Sequence, residues 1–141
     1  MTDLRYEAPE TLDAAVSLLT GADGGGRIMA GGTDVLVQLH AEMIEPSVIV
    51  DIKNIADVRA MSESGGAWTV GAAVPGMQII DDAAFSAAWP GVCEGVALIG
   101  SVQVKARASI GGNLCNGSPA ADSVPAIIAA GAVATIIGPN G

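Results

Sequence analysis

The sequence predicts a mixed α/β (α+β) domain, because short β-branched runs, segments with helical apolar spacing and glycine turns alternate along 141 residues. Half of the residues are apolar, yet only Tyr6, Trp68, Phe85 and Trp89 are aromatic, so Ala, Val, Ile and Leu supply the core. With 19 glycines this is the composition of a closely packed domain rather than a disordered chain. No internal repeat or low-complexity stretch is present.

Taken in order, the elements follow from local chemistry. The residues before Thr11 are short and extended, and Pro9 marks the approach to a helix. Thr11 is a helix cap, Leu12, Ala15, Val16 and Leu19 have helical spacing, and Gly21 ends the run. A glycine loop over 23–26 leads to a strand over 27–30, a turn at Gly31-Gly32-Thr33-Asp34 and a helix over 35–40. Pro46 precedes a strand over 47–52, and residues 54–61 read as a helical turn capped by Asn54. Gly65-Gly66 opens a strand over 67–72. Pro75-Gly76 opens a short helix to residue 80, and 86–99 reads as helical with a kink or restart at Pro90-Gly91. Residues 109–122 read as a second glycine loop, followed by a helix over 124–130 that stops at Gly131. Residues 132–137 read as a buried strand running into the turn Pro139-Asn140-Gly141.

Charge narrows the function classes. Fifteen acidic residues against six basic ones give a net charge of −9, which opposes a nucleic-acid surface. No apolar run reaches the ~18 residues of a membrane span, and the start Met-Thr-Asp-Leu-Arg lacks the pattern of a signal peptide, so the expected location is cytoplasmic. Cys93 and Cys115 form no CxxC pair and stand apart from the single His40, so neither zinc nor an iron-sulfur cluster has a ligand set here, and two free thiols are expected. From Ala108 to Gly141 the only charged side chain is Asp122. A segment so poor in charge is expected to be buried, bound, or covered by chain or subunits beyond this sequence, and the expectation is of a fragment.

Two loops carry the chemistry. In Ala30-Gly31-Gly32-Thr33-Asp34 the glycines clear side chains from backbone N–H groups just before a helix, an arrangement that admits a phosphate. Read alone, the loop is also a tight strand-to-helix turn with Thr33 or Asp34 as N-cap, since neither GxGxxG nor GxxxxGK[ST] is present. The second, Ser109-Ile-Gly-Gly-Asn-Leu-Cys-Asn-Gly-Ser-Pro-Ala-Ala-Asp122, offers glycines, two asparagines, Ser118 and Asp122 to a ligand with many polar groups. Read alone, Asp122 is an N-cap, the glycines form a bend, and Lys105 and Arg107 form a solvated edge.

Together, Ala-Gly-Gly-Thr-Asp at 30–34 and Arg-Ala-Ser-Ile-Gly-Gly-Asn-Leu-Cys-Asn-Gly-Ser-Pro-Ala-Ala-Asp at 107–122 resemble the two flavin loops of the FAD-binding (medium) subunit of the molybdenum hydroxylases, the family of xanthine dehydrogenase, aerobic carbon monoxide dehydrogenase and 4-hydroxybenzoyl-CoA reductase. Tyr6-Glu-Ala-Pro9 and Asp51-Ile-Lys-Asn54 fit the same pattern, so the resemblance spans nearly the whole chain. It implies a FAD-binding domain of the vanillyl-alcohol oxidase or PCMH type, with subdomains over 1–54 and 55–141 and the C-terminal part missing.

The resemblance further implies that Met29, Ala30, Gly31, Gly32, Thr33, Asp34 and Val35 wrap the pyrophosphate, Thr33 adding its hydroxyl. Ser109, Gly111, Gly112, Asn113 and Asn116 would line the flavin and diphosphate, and Asp122 would approach the ribityl or phosphate end. Ile99 and Gly100 resemble the segment passing the isoalloxazine. The implied role is electron transfer through FAD to an acceptor such as NAD. Molybdopterin and iron-sulfur clusters would belong to partner subunits, a molybdenum (large) and an iron-sulfur (small) subunit, assembled as a dimer of heterotrimers. No catalytic or metal-binding residue is assigned; His40 reads as a packed or solvated histidine and Cys115 as a small buried thiol. Two other readings stay open: a non-catalytic assembly module that holds no FAD tightly, and an unrelated nucleotide binder using the first loop alone.

Overall fold

The computed structural model describes residues 4–141; Met1, Thr2 and Asp3, part of the start read above as lacking a leader pattern, lie outside the described residues. Three strands, β1 (Arg5–Glu7), β2 (Gly26–Met29) and β3 (Val48–Asp51), form a parallel sheet in the order β1-β3-β2. In register, Arg5 and Gly26 flank Val48, and Glu7 and Ile28 flank Val50. The central strand is buried along its whole length, which is why Val-Ile-Val reads as a continuous apolar run rather than an alternation.

Helix α1 (Leu12–Gly21) connects β1 to β2. Its expected cap is present: Thr11 Oγ1 accepts from the Ala14 N–H at 3.2 Å. Ala15 packs with Val48, Val50 and Ile55 in a first apolar cluster, flanked by Leu12, Leu18 and Leu19. Helix α2 (Val35–His40) follows the first glycine loop as expected. Residues 52–54 and 57–59 form two short 3-10 turns. Asn54 closes the first of these instead of capping a helix; the cap is Asp51, whose side chain accepts from the Lys53 N–H.

A two-stranded antiparallel hairpin comes next, β4 (Met61–Ser64) and β5 (Ala67–Val70). The strand β4 was not expected from sequence. Its signal is Gly65-Gly66, a two-residue turn with φ of +60° and +84°, closed by the Gly66 N–H donating to Glu63 Oε1 at 2.6 Å. Trp68 on the hairpin meets Phe85 edge to face, with ring centroids 5.2 Å apart.

The remaining helices are α3 (Gly76–Asp81), α4 (Ala83–Ala88), α5 (Pro90–Ala97), α6 (Val102–Lys105), α7 (Ile110–Asn116) and α8 (Ser123–Ala129). Of the kink or restart read at Pro90-Gly91, the restart is observed: Pro90 starts α5 and Trp89 leaves helical geometry at φ −131°. Two expectations are corrected. The second loop is not all loop: α7 occupies its first half, capped by Ser109, whose Oγ accepts from the Gly112 N–H at 3.1 Å. Residues 132–137 form no strand, and Val133 and Ile136 are 91% and 83% exposed. A lone β-branched run has no ladder to join among the described residues, so periodicity alone does not make it a strand. The second apolar cluster, with Val74, Ile79, Phe85, Val96 and Ala108, is built from α3 to α5 and the residues leading into α7. Among the described residues, no helix is long and apolar enough to cross a membrane.

Candidate functional site

The two glycine loops, far apart in sequence, are neighbours in space. Gly31 lies so close to the carbonyl of Arg107 that an added Cβ would fall 1.9 Å from that oxygen. Here glycine is a requirement of close backbone approach. A Cβ at Gly112 would meet only Ser109 Oγ at 3.1 Å and Ala30 Cβ at 4.0 Å. Gln38 on α2 donates from Nε2 to Asn116 Oδ1 on α7 at 3.0 Å, tying the two loop helices together.

The first loop leaves its donors free. Among the described residues, the N–H groups of Gly31, Gly32, Thr33, Asp34 and Val35 donate to no acceptor; the first bonded amide is that of Leu36, to the Gly32 carbonyl at 3.1 Å. The expected capping roles of Thr33 and Asp34 are not taken up, since the residue at the cap position, Asp34, makes no side-chain cap bond. Gly32 holds φ at +81°, and a Cβ there would press on Met29 Sδ and Leu36 Cδ1 at 3.3 and 3.1 Å. A β-branched residue at Gly32 would therefore strain the backbone itself, whereas Gly112 has an ordinary φ.

A polar network that the linear sequence does not reveal holds this loop from behind. Lys53 Nζ donates to the Ala30 carbonyl at 2.8 Å and to Asp51 Oδ1 at 2.7 Å. Asp51 also accepts from the Lys53 N–H at 3.0 Å and, through Oδ2, from the Tyr6 hydroxyl at 2.5 Å. Burial works to raise the Asp51 carboxyl, but the hydrogen bonds from Lys53 and Tyr6 and the ammonium charge outweigh it and hold the group below the usual carboxylate range. The same bond to Asp51, with partial burial and the nearby negative charge, raises Tyr6 above the ordinary phenol value. Tyr6 and the 51–54 segment are visible in sequence as residues, but nothing there joins Lys53 to Ala30, 23 positions away.

In the second loop the expected ligand groups divide. The Gly111 N–H has no acceptor among the described residues, the Ile110 amide flanks the antiparallel bridge that pairs Ser109 with Pro75, and Gly112 and Asn113 donate to Ser109. Asn113 Oδ1 accepts from Ser123 Oγ at 2.6 Å and from the Ser123 N–H at 3.3 Å, locking α7 to α8; Ser123 is fully buried. Asp122 is exposed and makes no side-chain cap bond, so the capping role read for it is not observed. Gly111 packs against Ala72, where a Cβ would fall 2.6 Å from the carbonyl oxygen. Ile99 is buried and Gly100 turns at φ +46°, its carbonyl accepting from Lys105 Nζ at 3.1 Å. His40 is exposed and both thiols are free; Cys93 is buried, whereas Cys115, expected to be a buried thiol, is exposed on α7. Among the described residues, no cluster of His, Cys, Asp or Glu has the makings of a metal site.

Residues 2–141 match the family described as the FAD binding domain in molybdopterin dehydrogenase. The chain belongs to that family. It is 34% identical over 137 residues to the xanthine dehydrogenase FAD-binding subunit of Escherichia coli O157:H7, and 31% identical over 136 residues to the carbon monoxide dehydrogenase medium chain of Hydrogenophaga pseudoflava. Each alignment covers 96% of this chain and 47% of the relative, so the chain spans about half the length of the curated relatives it matches. A solved structure described as reconstituted CO dehydrogenase from Oligotropha carboxidovorans superposes with a TM-score of 0.82 at 29% identity, over 86% of this chain and 42% of that one. Quinoline 2-oxidoreductase from Pseudomonas putida 86 gives 0.74 at 30% identity, over 79% and 39%. The fold is thus that of an FAD-binding domain of the molybdopterin dehydrogenases, and the cofactor of such a domain is FAD.

The residues present fit that cofactor's diphosphate. Five consecutive amides without acceptors, beside the free Gly111 amide, form a main-chain donor set of the kind that binds phosphate oxygens.

Proposed function

We propose that this chain is the FAD-holding part of an electron-transfer subunit in a molybdenum-containing hydroxylase or dehydrogenase. The observation that carries the reading is the run of unpartnered amides from Gly31 to Val35, set against the first turn of α7. When bound, FAD supplies the redox-active ring that links one-electron clusters to a two-electron acceptor such as NAD.

The chain's own residues bind and orient. The amides of Gly31, Gly32, Thr33, Asp34 and Val35 donate to the diphosphate, with the Thr33 hydroxyl beside them and Met29 and Ala30 as the strand end that anchors the loop. Lys53 fixes the Ala30 carbonyl on the far side of that peptide. Ser109 sets the first turn of α7, and Gly111, Gly112, Asn113 and Asn116 complete the wall. Asn113 and Asn116 do so with their amide NH2 groups, since each side-chain oxygen already accepts a bond within the chain. Asp122 approaches the ribityl or phosphate end, which its exposure permits. Two separate apolar clusters support the division into subdomains over 1–54 and 55–141, with the loops meeting between them; Ile55 and Val58 pack across that boundary into the first cluster.

The relatives' names place such chains with dehydrogenases, and the reading extends to an iron-sulfur and a molybdenum subunit as partners, in a dimer of heterotrimers, in the cytoplasm. Titration of the purified chain with FAD, followed by flavin absorbance and fluorescence quenching, tests the core claim. Uptake near one equivalent is expected, and Gly112→Val should abolish it while urea unfolding stays cooperative. A folded, colourless protein that takes up no FAD would favour the assembly module instead.

A further inference from the structure

A groove of about 510 Å³ opens between the 57–59 turn and the segment leading into α7, and its lining is chemically unlike the rest of the chain. Of its eight lining residues three are cationic, Lys53, Arg59 and Arg107, and none is acidic. Six cations and fifteen acids spread over 141 residues would place well under one cation, and about one acid, in a set of that size. Lys53 and Arg59 come from consecutive turns six residues apart, and the tertiary fold brings Arg107 to them.

The cations are not there for one another's structural needs. Lys53 is engaged with Asp51 and Ala30, and among the described residues Arg59 and Arg107 form no ion pair and no side-chain hydrogen bond. Arg59 is half-buried and has no carboxylate partner among the described residues. Asn54, Ala56, Ala73, Pro75 and Ala106 complete the lining with short, uncharged side chains.

We propose that this groove is an anion site for the phosphate groups of a nucleotide, separate from the main-chain flavin cradle. Two guanidinium forks match phosphate oxygens in paired hydrogen bonds. The groove includes none of the glycines of the two loops, and only the main chain of Arg107 touches Gly31, so its guanidinium is a donor separate from the cradle amides.

The test is calorimetric titration of this chain with inorganic pyrophosphate at low salt, with and without saturating FAD. Saturable binding that survives FAD is expected, weakened about tenfold in Arg59→Ala and again in Arg107→Ala, each with an unchanged melting temperature. Gly112→Val should leave pyrophosphate binding intact while removing FAD uptake. That crossover separates the two sites, and pyrophosphate binding lost only in the arginine variants supports the groove even if the chain takes up no FAD. Absence of saturable binding, displacement of pyrophosphate by FAD, equal affinity in wild type and both variants, or tighter binding of a glutamate-rich peptide would each overturn the proposal.

Discussion

At the scale of single residues, the polar group of greatest consequence is Asp51. It is only 6% exposed and accepts from three donors, so Asp51→Asn leaves the half-buried Lys53 ammonium without its counter-charge. A loss of about 2 kcal/mol is expected in urea unfolding at neutral pH. The sign of its pH dependence follows from the lowered carboxyl: its contribution is full above the unfolded-state value near 4 and disappears as pH falls through the lower folded-state value. Wild type and Asp51→Asn should therefore converge in stability on the acid side, and a constant difference down to pH 2 would remove the carboxylate from the account. Tyr6, 60% exposed, adds little, and Tyr6→Phe should shift the midpoint only slightly. Lys53→Met should weaken FAD binding by freeing the Ala30 carbonyl, with partial recovery in Lys53→Arg. Equal FAD affinity in all three proteins would show that the carbonyl needs no anchor.

At the scale of elements, the helices flanking the site owe their positions to side chains that sequence reading assigned elsewhere. Ser109 and Asn113, quoted in the sequence as ligand groups, each work first as joints: Ser109 caps α7 and Asn113 seats α8 on Ser123. Ser109→Ala should lose about 1 kcal/mol as a helix cap. Asn113→Ala should lose about 2 kcal/mol, because it strands the fully buried Ser123 hydroxyl, and thermal melts of the two variants give the comparison. FAD affinity lowered beyond the loss in folded fraction would give Asn113 both duties. Most elements were legible because their signals are local: Thr11 before an apolar helical stripe, Gly65-Gly66 before β5, a β-branched run at β3. The misassigned ones depend on a partner. β4 pairs with β5 through a turn whose signal went unused, α7 hides inside a glycine-rich motif that reads as loop, and 132–137 has strand composition with no ladder to join.

At the scale of the whole molecule, the apolar surplus of the last third is not spent on its own core. Ile128, Val133 and Ile136 are 72%, 91% and 83% exposed, and an apolar face of that kind drives association. The double variant Val133→Lys, Ile136→Lys is expected to sediment as a more monomeric species than wild type with the same melting temperature. A wild type already monomeric at high concentration would count against that. The expectation that the charge-poor segment is buried holds only for its first part, where Ala108, Ser109, Ala121 and Ser123 are interior. The chain by itself determined the alternation of strands and helices, the two glycine loops and, through their motifs, membership of an FAD-binding family, because these rest on neighbours in sequence. What only the tertiary structure decided is how the loops meet: the backbone contact of Gly31 with Arg107, the Lys53 anchor on Ala30 and the gathering of three cations in one groove. Gly31 with Arg107, Lys53 with Ala30, and Arg107 with the Lys53–Arg59 stretch are each remote in sequence, and their mutual distance is set by the packing of two apolar clusters rather than by any local preference of the chain.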